Sequence, residues 1–160
     1  MNKTEIAYET GDATTPRITG PAIIAHICND LGRWGKGFVL AVSARWPQPE
    51  RAYRDWHKQR DTNDFALGAV QFVPVAADLY VANMIGQHGL RSSTGSPPIR
   101  YDAVDQNLRT LADFASTSKA SVHMPRIGCG LAGGSWDRIE PLIDSCLSSR
   151  GIAVVVYDLQ

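Results

Sequence analysis

The sequence predicts an α/β protein, a three-layer α/β/α sandwich around a mixed, mostly parallel sheet. Segments of strand and helix character alternate along the chain. Ala22 to Cys28 and Ile152 to Tyr157 are near-continuous apolar runs, the mark of strands covered on both faces. Glycine clusters follow the strands, where ligands collect in such folds.

Taken in order, the residues Thr4 to Tyr8 predict a short half-buried strand ending at Gly11 and Asp12. Ala22 to Cys28 is the buried second strand, and Asn29-Asp30 opens a polar turn. Phe38, Ala41, Val42 and Trp46 have helical spacing, and Pro47 stops that helix because the residue before proline resists the α conformation. Pro49 suits the first turn of a second helix running to about Gln59, with Glu50 near its positive end. Val70 to Val75 and Leu79 to Ile85 predict consecutive strands joined near Ala77-Asp78. Tyr101, Val104, Leu108 and Leu111 predict an amphipathic helix entered through Pro97-Pro98. Val122 to Pro125 is a short strand, Ser135 to Leu147 a helix interrupted or kinked at Pro141, and Ile152 to Tyr157 the last strand. Leu90 to Ser96, with Ser92, Ser93, Thr94 and Gly95, is the one loose segment expected.

The 160 residues, 44% hydrophobic and 20% charged, suit a single domain over 1–160. No apolar run approaches the roughly 20 residues that span a bilayer, and the polar start is unlike a secretion signal. Lysine plus arginine equals aspartate plus glutamate at 16 each, so the basic surplus behind sequence-independent nucleic-acid binding is missing. A local patch for a nucleic acid remains open. Cys28, Cys129 and Cys146, an odd number in apolar or glycine-rich settings, argue against a disulfide framework and for a reducing, cytoplasmic compartment. No His/Cys spacing has the paired pattern of a zinc site, so neither metal nor cofactor is expected.

Two glycine turns carry the chemical signal. Gly32, Gly35 and Gly37 precede a helix, where free N–H groups and the positive helix end receive an anion. Gly128-Cys129-Gly130-Leu131-Ala132-Gly133-Gly134 again joins a strand to a helix, and two such cradles on one rim suit a diphosphate. Asp12 is either an acceptor for a ligand amino group or a turn residue. Trp34, inside the first cradle, is expected to line the cleft, whereas Trp46, Trp56 and Trp136 read as core or loop anchors. Gln87 and His88 follow a strand at the same rim, where an amide orients water and an imidazole relays protons; plain loop polarity is the alternative. Cys129 reads as small packing or, less readily, as a thiolate at a strand-to-helix turn.

The stretches His26-Ile27-Cys28-Asn29-Asp30, Trp34-Gly35-Lys36-Gly37-Phe38 and Met124-Pro125-Arg126-Ile127-Gly128-Cys129-Gly130-Leu131 with Trp136 resemble the macrodomain family. The branch they look like includes terminal ADP-ribose protein glycohydrolase and the yeast ADP-ribose-1''-phosphate phosphatase. The resemblance runs from Thr10-Gly11-Asp12 to Val156-Tyr157-Asp158-Leu159. It implies ADP-ribose in a cleft: adenine near Asp12 and Ala13 with Tyr157 beside it, the diphosphate between the loops, and the distal ribose near Asn29 and Gly35-Lys36-Gly37. Phe38, Gly128, Cys129, Gly130, Leu131 and Ala132 complete the expected binding set. The partners it implies are ADP-ribose, or ADP-ribosylated protein or nucleic acid.

The chain departs from that branch at two positions. Where the glycohydrolase has a lysine after the strand matching Val81 to Ile85, this chain has Gln87; where it has an aspartate after Gly-Cys-Gly-Leu, this chain has Ala132. An amide cannot form a Schiff base, so a lysine-adduct route is closed. Gln87, His26 and His88 are the expected catalytic residues. His26 matches a histidine of the phosphatase's His-x-Cys-Asn segment and, with an ordinary value near ~6.5, suits acid–base work; a core histidine is the alternative. Hydrolysis of an ADP-ribosyl linkage is the function expected first, with a non-catalytic ADP-ribose reader and removal of phosphate from ADP-ribose-1''-phosphate as competing readings.

Overall fold

A computed structural model of the chain describes residues 4–90 and 96–159. The expected loose segment falls mostly on residues 91–95, outside the described residues. Among the described residues, strands β1 (Ala7–Thr10), β2 (Ala22–Asn29), β3 (Val70–Ala76), β4 (Leu79–Gln87), β5 (Ser121–Met124) and β6 (Val154–Asp158) form one sheet in the order β1-β6-β5-β2-β4-β3. Every neighbouring pair is parallel except the β3–β4 hairpin. That hairpin turns through Asp78, whose φ of 57° lies in the left-handed region that Asp tolerates better than most residues.

Helices α1 (Phe38–Arg45) and α2 (Gln48–Lys58) cover one face of the sheet; α3 (Tyr101–Ser118) and α4 (Trp136–Cys146) cover the other. Period-two alternation sends Ile23 and Ala25 of β2 toward α3 and α4, and Ala22, Ile24 and Cys28 toward α1 and α2. Both sets are buried, which is why the strand reads as a continuous apolar run. On β4, Ala82 and Met84 join the first core while Val81 and Ile85 join the second. Among the described residues, no helix is long and apolar enough to cross a membrane.

Two local expectations need correction. The first strand is Ala7–Thr10 and is exposed along its length, because β1 is an edge strand paired only with β6. Ile6, just outside it, supplies the packing against the core. The helix at Pro141 is not interrupted: α4 runs unbroken from Trp136 to Cys146. Pro141 and Asp137 are both exposed, so the carbonyl that the missing N–H leaves without a helical donor faces water.

Candidate functional site

The cleft exists because two parallel strands part company. Pairing between β2 and β5 runs from Ala22↔Ser121 to Ile24↔His123 and stops. β5 ends at Met124, and Pro125, which has no N–H to donate, carries the chain away. The remaining half of β2 pairs on its other side with β4, down to Asn29↔Gln87. The opening between Ile27 and Pro125–Ile127 is a cavity of about 250 Å³, which shares Ile27, Lys36, Val39, Gln87 and Leu131 as lining with a smaller one of about 100 Å³ beside Asn29, Trp34 and Gly35.

The first wall is the loop from β2 to α1. Asn29 organises it: Oδ1 accepts from the N–H groups of Leu31 (2.9 Å) and Arg33 (3.3 Å), and Nδ2 donates to the Arg33 carbonyl at 2.6 Å. Tyr53 of α2 donates its hydroxyl to the Asn29 carbonyl at 2.6 Å. Asn29 borders the smaller cavity, but its amide is committed to the loop, so it shapes the cradle instead of reaching the expected distal ribose. Trp34, 5% exposed, is pinned by Nε1–H bonds to Ser43 Oγ (2.7 Å) and the Val39 carbonyl (3.2 Å). Gly37, at φ 83°, is the N-cap of α1 and leaves the first helical N–H groups without a side-chain cap. Leu40 N–H turns back to the Gly37 carbonyl at 3.0 Å, while Gly37, Phe38 and Val39, with the exposed Lys36, line the cleft at this helix start.

The second wall is the loop from β5 to α4. It is folded back on itself by bonds from Gly134 N–H to the Gly128 carbonyl (2.7 Å) and from Gly133 N–H to the Gly130 carbonyl (3.0 Å). A Cβ on Gly134 would lie 2.5 Å from the Gly128 carbonyl oxygen, so this glycine is required by the fold. A Cβ on Gly130 would meet nothing within 4 Å; there the bare backbone leaves open space toward the cleft. Among the described residues, the N–H groups of Gly130, Leu131 and Ala132 have no backbone partner. Gly128, Gly130, Leu131 and Ala132 all line the cavity, and Leu131 is 66% exposed.

Gln87 stands between the walls at the end of β4 and lines both cavities. Its Nε2 donates to the Gly89 carbonyl at 3.1 Å, and its Oε1 takes no hydrogen bond from the described residues. His88 is turned away from the lining. Its Nδ1 pairs with Asp30 Oδ2 at 2.7 Å, and its side chain is 53% exposed.

The setting of His26 favours the core-histidine reading over a catalytic acid or base. It floors the cavity but is only 2% exposed, wedged edge-on against Trp34. Asn83 Nδ2 donates to the Pro49 carbonyl and Gln71 Oε1, which leaves Asn83 Oδ1 to accept from His26 Nε2–H at 2.6 Å. Burial lowers its pKa to about 4, so the ring stays neutral where an acid–base group must change charge.

Four other expected residues do not reach this cavity. Asp12 spends Oδ1 on the Thr14 N–H and hydroxyl, and borders a separate depression with Thr14, Arg45 and Trp46. Ala13 is buried. Tyr157, also buried, shares a hydrogen bond of 2.7 Å with His123 Nδ1 beneath Gly11. Cys129 packs its side chain against the core, and burial pushes its thiol pKa up, which favours the small-packing reading over the thiolate.

The sequence reading passed over Arg126 and its setting. Arg126 lines the cavity while its outer face lies against the rings of Tyr8 (5.3 Å) and Trp136 (5.1 Å). Two hydrogen bonds to Asp158, 2.7 and 3.0 Å, fix the guanidinium plane. Ile27, Val39, Pro125 and Ile127 supply the apolar lining. Among the described residues, no group of three or more His, Cys, Asp or Glu side chains is placed to hold a metal ion.

No protein-family model matches the chain. The chain is 34% identical, over 98% of its length, to mouse chromodomain-helicase-DNA-binding protein 1-like, but spans only 18% of that protein; for the zebrafish relative the share is 16%. It is 30% identical to the ADP-ribose 1''-phosphate phosphatase of Lodderomyces elongisporus, across 96% of this chain and 99% of that one. The solved structure of a macrodomain protein from Streptomyces coelicolor is 60% identical and matches with a TM-score of 0.87, covering 96% of this chain and 99% of that one.

Proposed function

We propose that this chain, which belongs to the macrodomain family, binds ADP-ribose between its two glycine loops and hydrolyses the ADP-ribosyl linkage to a protein carboxylate or a nucleic-acid acceptor. The observation that carries the reading is Gln87. A neutral amide lines the cleft between two anion cradles, pinned through Nε2 to the Gly89 carbonyl, and its Oε1 takes no hydrogen bond from the described residues.

The diphosphate takes the N–H groups at the start of α1 and those of Gly130 to Ala132, with Lys36 and Arg126 adding positive charge. That arrangement holds the distal ribose at the Gln87 end. The Gln87 amide orients water but takes no proton. The water oxygen bonds to the anomeric carbon as the bond to the acyl oxygen breaks, and its proton leaves with the released carboxylic acid or to bulk water. A carboxylate is a good enough leaving group that a positioned water suffices. The absence of a lysine at position 87 and of an aspartate at 132 fits this lighter machinery better than a covalent route. The odd cysteine count and free thiols support a reducing, cytoplasmic setting.

A second reading, removal of phosphate from ADP-ribose 1''-phosphate, is favoured by the full-length likeness to proteins of that name. The neutral, buried His26 weighs against it. Incubation with an ADP-ribosyl carboxylate ester, an ADP-ribosylated oligonucleotide and ADP-ribose 1''-phosphate, with separate detection of ADP-ribose and inorganic phosphate, distinguishes the readings. Release of ADP-ribose from an acceptor supports hydrolysis, release of phosphate alone supports the second reading, and tight binding with neither product leaves a reader.

A further inference from the structure

We infer that Asp30, on the opposite loop, is the positioning residue that fixes which atom of the Gln87 amide faces the cleft. Asp30 N–H donates to the Gln87 carbonyl at 3.0 Å, just past a register irregularity between Cys28 and Asn29 that breaks the ladder pattern of β2 and β4. Its carboxylate then reaches over the next two residues: Oδ1 accepts the Gly89 N–H at 2.8 Å and Oδ2 pairs with His88 Nδ1 at 2.7 Å. Gly89 has φ 64°, a conformation that turns its carbonyl back on Gln87, where it accepts Nε2–H at 3.1 Å.

An amide rotated by half a turn would point Nε2 at the cleft and set Oε1 against the Gly89 carbonyl, acceptor against acceptor. The Gly89 carbonyl therefore selects one rotamer, and Asp30 holds that carbonyl in place. With Nε2 held by Gly89, the atom left without a hydrogen bond from the described residues is Oε1, an acceptor, which suits a water or ribose hydroxyl and repels a phosphate oxygen. His88 enters the same scheme as a brace on Asp30, on the outer side of the turn, so its imidazole acts through Asp30 and not on the substrate. Asp30 also ties the first glycine loop to the strand end carrying Gln87. Ligand held by one is thereby registered against the other.

The role in rate rests on the hydrolytic reading above; the role in orientation does not, and the test separates them. In ¹H–¹⁵N spectra of the full chain, the Gln87 side-chain NH₂ pair of the parent should show one proton shifted and protected by the Gly89 carbonyl. Asp30→Ala should collapse that pair toward free-amide values, and Asp30→Asn, which keeps an acceptor for Gly89 N–H, should largely restore it. With an ADP-ribosyl ester, Asp30→Ala should lower kcat about tenfold with little change in KM, and Asp30→Ala/Gln87→Ala should be no slower than Gln87→Ala. An unchanged Gln87 NH₂ signal in folded Asp30→Ala overturns the inference whatever the kinetics. A slow Gln87→Ala beside a fully active Asp30→Ala also overturns it while leaving the hydrolytic reading intact. A fully active Gln87→Ala removes Gln87 from catalysis, and the spectra alone then decide the orientation.

Discussion

Beneath the cleft floor, His26 donates Nε2–H to Asn83 Oδ1 at 2.6 Å, and Asn83 in turn donates to the Pro49 carbonyl and to Gln71 Oε1. The bond joins the central strand to the hairpin and to α2. It also fixes Nε2 as the protonated nitrogen of the neutral ring, since Asn83 Oδ1 can only accept.

This burial gives stability a pH dependence. His26 and His123 both have folded pKa values lowered to about 4, chiefly by desolvation, against 6.5 for the exposed side chain. Between those values the unfolded chain binds more protons than the folded one, so stability is full above about pH 6.5 and is lost as pH falls toward 4. Thermal unfolding from pH 7.5 to 4.5 should show a falling Tm, and proton uptake on unfolding near pH 5 should approach two per chain, one from each ring. A flat Tm across that window would show that these histidines are not held neutral.

The two glycine loops should respond differently to side chains. Gly130→Val adds atoms to open space at a backbone conformation any residue adopts, so it should fold normally and weaken ADP-ribose binding severely. Gly37→Val, at φ 83°, should lose both affinity and some stability. Gly134→Ala should lose stability first, because its Cβ would lie 2.5 Å from a backbone oxygen. Calorimetry paired with thermal melts reads all three. Parental affinity in a folded Gly130→Val would show that the diphosphate does not lie against this loop.

Arg126 should matter to affinity more than to fold. Its salt bridge to Asp158 is half exposed, and such pairs contribute little to stability, roughly 0–1 kcal/mol. Against an anionic ligand the pre-oriented guanidinium is worth more: Arg126→Ala should raise the ADP-ribose Kd about tenfold, an effect that shrinks as salt is added. Asp158→Asn, which frees the plane to rotate, should give a smaller rise. Equal affinity for parent and Arg126→Ala at low salt would mean the guanidinium stays outside the bound ligand's reach.

How much of this was legible in the sequence follows from what each feature depends on. β2 was readable because burial on both faces writes a continuous apolar run, and α2 because Pro49 marks a first turn. The glycine turns were readable because positive-φ turns and close backbone approach leave few alternatives to glycine. Edge strand β1 was misplaced because an exposed strand has no burial alternation to read. Arg126, Ile27 and Pro125 line the site only because β5 stops while β2 continues, a fact of register that no local pattern records. The motif suggests a reactive His26, but its setting is made by Asn83, its register partner on β4, and by Trp34, folded back over it from the loop after β2.

The most direct test of the central claim is the rate and affinity of Gln87→Ala measured together. The account predicts that kcat for an ADP-ribosyl ester falls about tenfold to a hundredfold, the loss of one oriented hydrogen bond in the transition state, while the Kd for ADP-ribose stays within about twofold. A Gln87→Ala protein that turns over the ester at the parental rate would contradict it.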